Sequence, residues 1–193
     1  SCQGRCPNPG ALAEAPRAAT AMALLPLLGA GQTHTEGSYR ATVNSGLDYL
    51  VRNMEIDGDR RSLAEPEGKM YSHGLGSIVL CEAYAMTRDK QLSRPAQDAL
   101  NHIAYAQDPV GGGWRYVAKS PGDTSVLGWQ LMAVKSGSMA YLHTDPALIT
   151  GASRFLDSVQ TDSGSGYGYM DPGDSLGTTA VGLLCRMYLG WGR

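Results

Sequence analysis

Aromatic residues make up only 7% of this chain, and just one of them is phenylalanine. A mechanism that surrounds a cation with ring faces therefore has little to draw on. Basic runs are missing as well. The 16 Lys and Arg are scattered among 18 Asp and Glu, for a net charge of −2. A phosphate-neutralising surface needs a cationic stripe, so nucleic-acid binding is excluded. No apolar run reaches the roughly eighteen residues that a membrane-spanning helix requires. The stretch Ala18–Leu28 (AATAMALLPLL) is too short and is broken by Pro26, and its only immediate basic flank is Arg17. It reads as a helix rather than a signal-peptide core. What remains is ordinary: 193 residues, 42% apolar and 18% charged, enough for one globular domain with a sizeable core.

Cysteine is scarce, with four in all. Cys2 and Cys6 sit in a Pro/Gly-rich opening (SCQGRCPNPG) that reads as a segment of its own, residues 1–16. A local disulfide, a reduced pair and a two-cysteine metal site are all open there. Cys81 and Cys185 lie among apolar residues and read as small buried hydrophobes. The first residue is Ser1, as in a piece of something longer.

The positive signal is repetition over residues 17–193. The segments NMEIDGDRRS from Asn53, QDPVGGGWRY from Gln107 and QTDSGSGYGY from Gln160 recur at intervals of 54 and 53 residues. Each opens with an amide and carries Gly or Asp in its middle. The second and third end in aromatic pairs, Trp114/Tyr116 and Tyr167/Tyr169. The following segments align with Gly76, Gly128 and Ala180 in register, 52 residues apart, and Ala21 falls opposite Ala180. A period near fifty residues marks a repeat architecture.

Each unit holds one small, apolar, Gly/Ala-rich helix and one amphipathic helix. Leu148, Ile149, Ala152, Phe155, Leu156 and Val159 form a single stripe, with Arg154, Asp157 and Ser158 facing away. No stretch alternates as a strand. The pattern predicts an all-α chain of about seven helices over 17–28, 38–53, 73–87, 91–107, 124–140, 146–160 and 176–190. Apolar helices form an inner layer and amphipathic ones an outer layer. The glycines of QDPVGGGWRY then serve a helix exit, with Gln107, Trp114, Gln160 and Tyr167 as repeat-turn residues. A phosphate loop needs a strand and a Gly-Lys-Ser/Thr end, and neither is there.

These turns, Gln107 with Gly111–Gly113 and Trp114 and Gln160 with Gly164, Gly166 and Tyr167, resemble the prenyltransferase/squalene-oxidase repeat. The resemblance covers residues 17–193. Gly29–His34, Met70–Tyr84 and Gly122–Ala133 are also similar to large bacterial proteins with this repeat and no assigned activity. It implies a partial α/α toroid: an open arc, part of a longer ring, or an arc completed by a second copy. A cyclase of this family protonates an alkene with Asp-x-Asp-Asp. The nearest segments, Asp57-Gly58-Asp59 and Asp171-Pro172-Gly173-Asp174, do not match. The prenyltransferases of the family bind zinc through Asp-x-Cys and a distant His, and Asp-x-Cys does not occur. Gly-x-Ser-x-Gly is absent too.

The candidate ligand-binding residues are Asp123, Thr124, Asp174, Ser175, Arg115 and His73. Gly122-Asp123-Thr124 and Gly173-Asp174-Ser175 each precede an inner helix. They read as N-caps, or as a polar rim where helix dipoles and Arg115 or Lys119 attract an anion. His73 is expected at a helix start, and His34, His102 and His143 in loops or on solvent faces. Glu82 and Lys135 stand on apolar helices, either as a buried pair or on an open concave face. The expected function is a non-enzymatic binding or scaffolding module that holds a peptide or apolar ligand, without cofactor or metal. The alternative is a fragment of an isoprenoid-processing enzyme whose catalytic residues lie outside this chain. Uncovered inner helices at the ends are expected to favour a homodimer.

Overall fold

The computed structural model describes residues 14–190, so the question of Cys2 and Cys6 lies outside the described residues. The chain is all-α. Among the described residues there are seven helices: α1 (Pro16–Gly29), α2 (Arg40–Arg52), α3 (Lys69–Thr87), α4 (Lys90–Ala106), α5 (Thr124–Met139), α6 (Pro146–Val159) and α7 (Leu176–Tyr188). Aspartates cap three of them. Asp89, Asp123 and Asp145 accept from the backbone N–H groups of Gln91, Val126 and Ala147. Each satisfies a donor that the first helical turn leaves free.

The helices form two layers, as their sequences require. α3 packs against α1 and α5, and α5 against α7. α3 and α5 are buried nearly all round, including Val79, Leu80, Cys81 and Ala83 on α3 and Leu127, Leu131 and Ala133 on α5. Burying one such Leu or Val contributes about 1.5–3 kcal/mol. The amphipathic helices cover them, α2 on α1, α4 on α3 and α5, and α6 on α5.

The inner helices run in the same direction. Tyr71 near the start of α3 meets Ser125 near the start of α5 at 2.9 Å. At the far end, the Arg88 guanidinium after α3 donates to the Ala140 carbonyl after α5 at 2.6 Å. Glu65, just before α3, accepts from the N–H groups of Arg17 and Ala18 at the start of α1. The starts of α1, α3 and α5 thus gather at one end.

Two short antiparallel strand pairs correct the strand-free expectation. β1 (Glu55–Asp57) pairs with β2 (Arg60–Ser62), Asp57 opposite Arg60, and β3 (Gln160–Thr161) with β4 (Gly166–Tyr167). Neither strand pair is long enough to give a period-two signal. The first hairpin is pinned from outside itself: Arg61 to buried Asp98 at 2.8 Å, and Asn101 to the Asp59 carbonyl at 2.7 Å.

The repeat turns carry out equivalent tasks with different partners. Trp114 and Tyr167, 53 residues apart, are both fully buried. The Asp108 N–H donates to the Gly113 carbonyl, the same offset at which Thr161 faces Gly166. Gln107 Nε2 donates to the Gly112 and Leu148 carbonyls at 2.8 and 3.0 Å. Gln160 instead accepts from Arg186 at 3.3 Å.

Candidate functional site

The inner row has one face that is only partly covered, with Leu75 and Ile78 buried, Tyr71, Glu82, Met132 and Lys135 half-buried, and Met86 and Met139 exposed. On α3, Tyr71, Leu75, Ile78, Glu82 and Met86 recur at helical spacing on one side. On α5 the matching side carries Ser125, Met132, Lys135 and Met139. Toward the helix C-termini this face sinks into a cleft of about 460 Å³. Its walls come from all four inner helices. Leu25 and Leu28 belong to α1, Ile78 and Met86 to α3, Met132 and Met139 to α5, and Tyr188 to α7. Glu82 and Lys135 also line it, both half-buried. Among the described residues neither makes an ion pair, so they are not the buried pair that the sequence allowed, and both stand half-buried on the cleft wall.

At the opposite end of the row the same face meets a polar rim. Tyr116 and Tyr169, at equivalent repeat positions, share a hydrogen bond of 2.5 Å. Tyr71 stacks at a tilt on Tyr116, with ring centres 6.1 Å apart, and Lys69 and Arg115 lie over the Tyr116 ring at 5.2 and 5.1 Å. Asp123 is fully buried. Its Oδ1 caps α5, while Oδ2 makes no well-formed hydrogen bond and has Arg115 Nε at 3.7 Å. Burial pushes its carboxyl above the ordinary aspartate value of 3.8, against the pull of the Val126 N–H, the Tyr169 phenol and Arg115. Burial likewise raises the Tyr169 and Tyr71 phenols.

Of the residues singled out in the sequence, this end brings together Arg115, Asp123 and Thr124. Thr124 is structural, its hydroxyl donating to the Gly168 carbonyl at 2.6 Å. Asp174 and Ser175 do not join them. Both are exposed in the loop before α7, and Ser175 makes no side-chain cap. At two of the helix starts first-turn N–H groups are already engaged, by Glu65 at α1 and by Asp123 at α5. Sequence reasoning missed the tyrosines of the rim and the methionines of the cleft. The 53-residue spacing of Tyr116/Tyr169 and of Met86/Met139 was the available signal.

His73 is also corrected. α3 begins at Lys69, so His73 sits one turn inside it, fully buried. Its Nδ1 accepts from the Leu63 N–H at 3.0 Å, which leaves the ring proton on Nε2 facing the Ala99 carbonyl at 3.2 Å. The ring pins the first hairpin to α3 and α4. His102 is half-buried rather than solvent-facing, with its ring 4.6 Å from that of His73. Burial first, then His102, holds His73 well below 6.5. An unfolded chain therefore takes up a proton below pH 6.5 that the folded chain refuses. Stability is constant above that value and falls beneath it, by at most about 1.4 kcal/mol per pH unit. Urea midpoints are expected to drop between about pH 7 and pH 5. His73→Gln should flatten that slope, leaving the part due to His102, which burial also lowers.

A second cleft, of about 430 Å³, lies between the first hairpin and the start of α6. Its polar groups are largely used within the fold. Asn101 holds Asp59, Asp145 caps α6, and the His143 backbone N–H donates to Gln97. Among the described residues no helix is long and apolar enough to cross a membrane. No protein-family model, no curated protein and no solved structure matches this chain.

Proposed function

We propose that the chain is a non-enzymatic binding module of the prenyltransferase/squalene-oxidase repeat type, its inner-row cleft holding an apolar ligand or the apolar side of a peptide. On this reading the four inner helices are an arc of an α/α toroid and the cleft belongs to its concave side. The carrying observation is the lining. Leu25, Leu28, Ile78, Met86, Met132 and Met139 surround about 460 Å³, with Glu82 and Lys135 as the two charges on the walls. Apolar walls with a few polar groups are the usual composition of a ligand site. Unbranched methionines adapt to occupants of different shape. The lining offers a carboxylate and an ammonium to orient a polar end.

Thermal unfolding tests the proposal with three probes: dodecanol, farnesyl diphosphate and a short amphipathic helical peptide. A probe at a hundredfold excess over its Kd stabilises the folded chain by about 2.7 kcal/mol, which corresponds to roughly 5–10 °C at this length. The double variant Met86→Glu/Met139→Glu alters exposed side chains only and is expected to keep its fold and lose the shift. The reading fails if no probe gives a saturable shift, or if the shift survives unchanged in the variant.

A further inference from the structure

The cleft between the first hairpin and the start of α6 has a counterpart one repeat earlier. Leu47, Asp48 and Val51 of α2 line a groove between α2 and α4. Leu100, Asn101 and Ala104 of α4, each 53 residues on, line the cleft between α4 and α6. On the opposite walls Asp89 and Leu92 correspond to Asp145 and Leu148, 56 residues on. The two are built alike and filled differently. The first keeps about 70 Å³ and the second about 430 Å³. The connection from α1 to α2 spans residues 30–39 and brings His34 into the first, its Nε2 2.8 Å from the Asp89 carboxylate. The connection from α3 to α4 is only Arg88 and Asp89, and Arg88 is held by the Ala140 carbonyl. No side chain from it plugs the second groove, and Ala104 in place of Val51 leaves that groove wider.

The hairpin supplies charge there instead. Its segment departs from the other repeat turns, with Arg60 and Ser62 where they carry Trp114/Tyr116 and Tyr167/Tyr169. Arg60 and Asp59 both line the cleft. The Arg60 guanidinium lies 4.0 Å from the Tyr105 ring centre and bonds Asp57 through Nη2, while Nε has no hydrogen-bond partner. A guanidinium stacked on a ring is positioned before any ligand arrives. The fold uses the Asn101 amide, one oxygen of Asp145 and the His143 backbone. It leaves over the Asp59 carboxylate and the second Asp145 oxygen. Among the described residues neither aspartate makes an ion pair, and Arg60 pairs with Asp57, which does not line the cleft. The floor is apolar, made by buried Leu100, Val134 and Leu148.

One opening therefore holds a cation and two carboxylates that do not neutralise one another, above an aliphatic floor. We infer that this cleft binds a zwitterion with an apolar side chain, a free amino acid or a dipeptide. Its carboxylate pairs with Arg60, its ammonium with Asp59 and Asp145, and its side chain lies on Leu100, Val134 and Leu148. A simple anion would meet two carboxylates and a simple amine would meet Arg60, whereas a zwitterion satisfies both signs at once. The volume falls within the range of small-ligand sites. The inference does not depend on what the inner-row cleft holds.

Isothermal titration calorimetry of the full chain tests it with five probes. L-leucine and L-leucyl-L-leucine carry both charges, 4-methylpentanoate lacks the ammonium, 3-methylbutylamine lacks the carboxylate, and maltose offers only hydroxyl groups. Saturable binding is expected for leucine or leucyl-leucine. Each single-charge analogue should bind roughly ten- to a hundredfold more weakly, the effect of losing one charge-assisted hydrogen bond. Asp59→Asn alters an exposed carboxylate that the fold does not use, and should weaken the zwitterion by a similar factor while leaving 4-methylpentanoate unchanged. Ala104→Leu adds bulk from an exposed helical position and should abolish binding without changing the melting behaviour. If that variant loses the fold, Asp59→Asn carries the test by itself. The inference is overturned if neither zwitterion binds, if the analogues bind as tightly as the zwitterions, or if binding survives intact in a folded Ala104→Leu chain. Maltose binding in place of the zwitterions also overturns it, since hydroxyl groups and not paired charges would then be what the cleft reads.

Discussion

Trp114→Ala is expected to lower the stability of the chain by about 3–5 kcal/mol, the range for deleting a large buried aromatic side chain. Trp114 is fully buried, and its indole N–H donates to the Ile103 carbonyl at 2.8 Å. Ile103 belongs to the outer helix α4, while the Trp114 carbonyl accepts from the Asp123 N–H at 2.9 Å, at the cap of the inner helix α5. The residue therefore joins two layers, and its loss leaves both a void and a buried acceptor without a donor. Trp114→Phe separates the two losses. It keeps most of the ring volume and gives up the indole hydrogen bond, whose net worth is about 1 kcal/mol. The expected order in urea denaturation is wild type, then Phe, then Ala, with Ala far the lowest. An alanine variant within about 1 kcal/mol of wild type would mean that the turn collapses around the gap and that Trp114 is not the joint between the layers.

That a tryptophan in this turn holds the joint was legible from its repeat position, as were the helices. The amphipathic stripes place α4 and α6 within a few residues of where they lie, because a one-sided apolar pattern leaves few options. α3 starts four residues earlier than expected. Nothing in its first turn is a side-chain cap, so the sequence carried no start signal there. That shift is what moves His73 from a helix end into the core. The first hairpin was hidden for a different reason. Ile56 is its one long apolar residue and is exposed, and the hairpin is held by Asp98, Asn101 and His73 from elsewhere in the chain. Local propensity has no access to such partners.

The site was legible in fragments. Glu82 and Lys135 stand out as charges on apolar helices, one repeat apart. The cleft between them depends on how far Leu25 of α1 stands from Met132 of α5, which is set by packing across two helix interfaces and not by any spacing in the sequence. The pairing of Asp174 with Asp123 misled for the opposite reason. The two glycine–aspartate steps look alike, but only the first is drawn in, by Trp114 and by Thr124 bonding to the next turn. The last turn has no following unit among the described residues to draw it in, and Asp174 stays exposed.

The three glycines of QDPVGGGWRY are expected to differ sharply when each is changed to alanine, although they are adjacent. Gly112 stands at φ +83, in the left-handed region that side chains avoid, and a Cβ there would lie 2.1 Å from the Gly151 carbonyl oxygen on α6. Backbone cannot swing aside as a side chain can. Strain and overpacking each cost on the order of 1–3 kcal/mol, so Gly112→Ala is expected to lose about 2–5 kcal/mol. Gly113 has no unusual φ, but its Cβ would press on the Phe155 ring and on the Gly122 backbone, an intermediate cost because the ring can yield in part. At Gly111 the nearest atom is the Asp108 carboxylate, a flexible side chain, although one that accepts the Gly111 N–H. Its alanine variant should lose least. Urea denaturation of the three variants is expected to rank Gly112 worst, Gly113 next and Gly111 mildest. Equal and small losses would mean that the turn is loosely held and that α4, α5 and α6 are joined without it. A loss largest at Gly111 would instead place the critical interaction in the Asp108 turn, since that substitution alone disturbs its carboxylate.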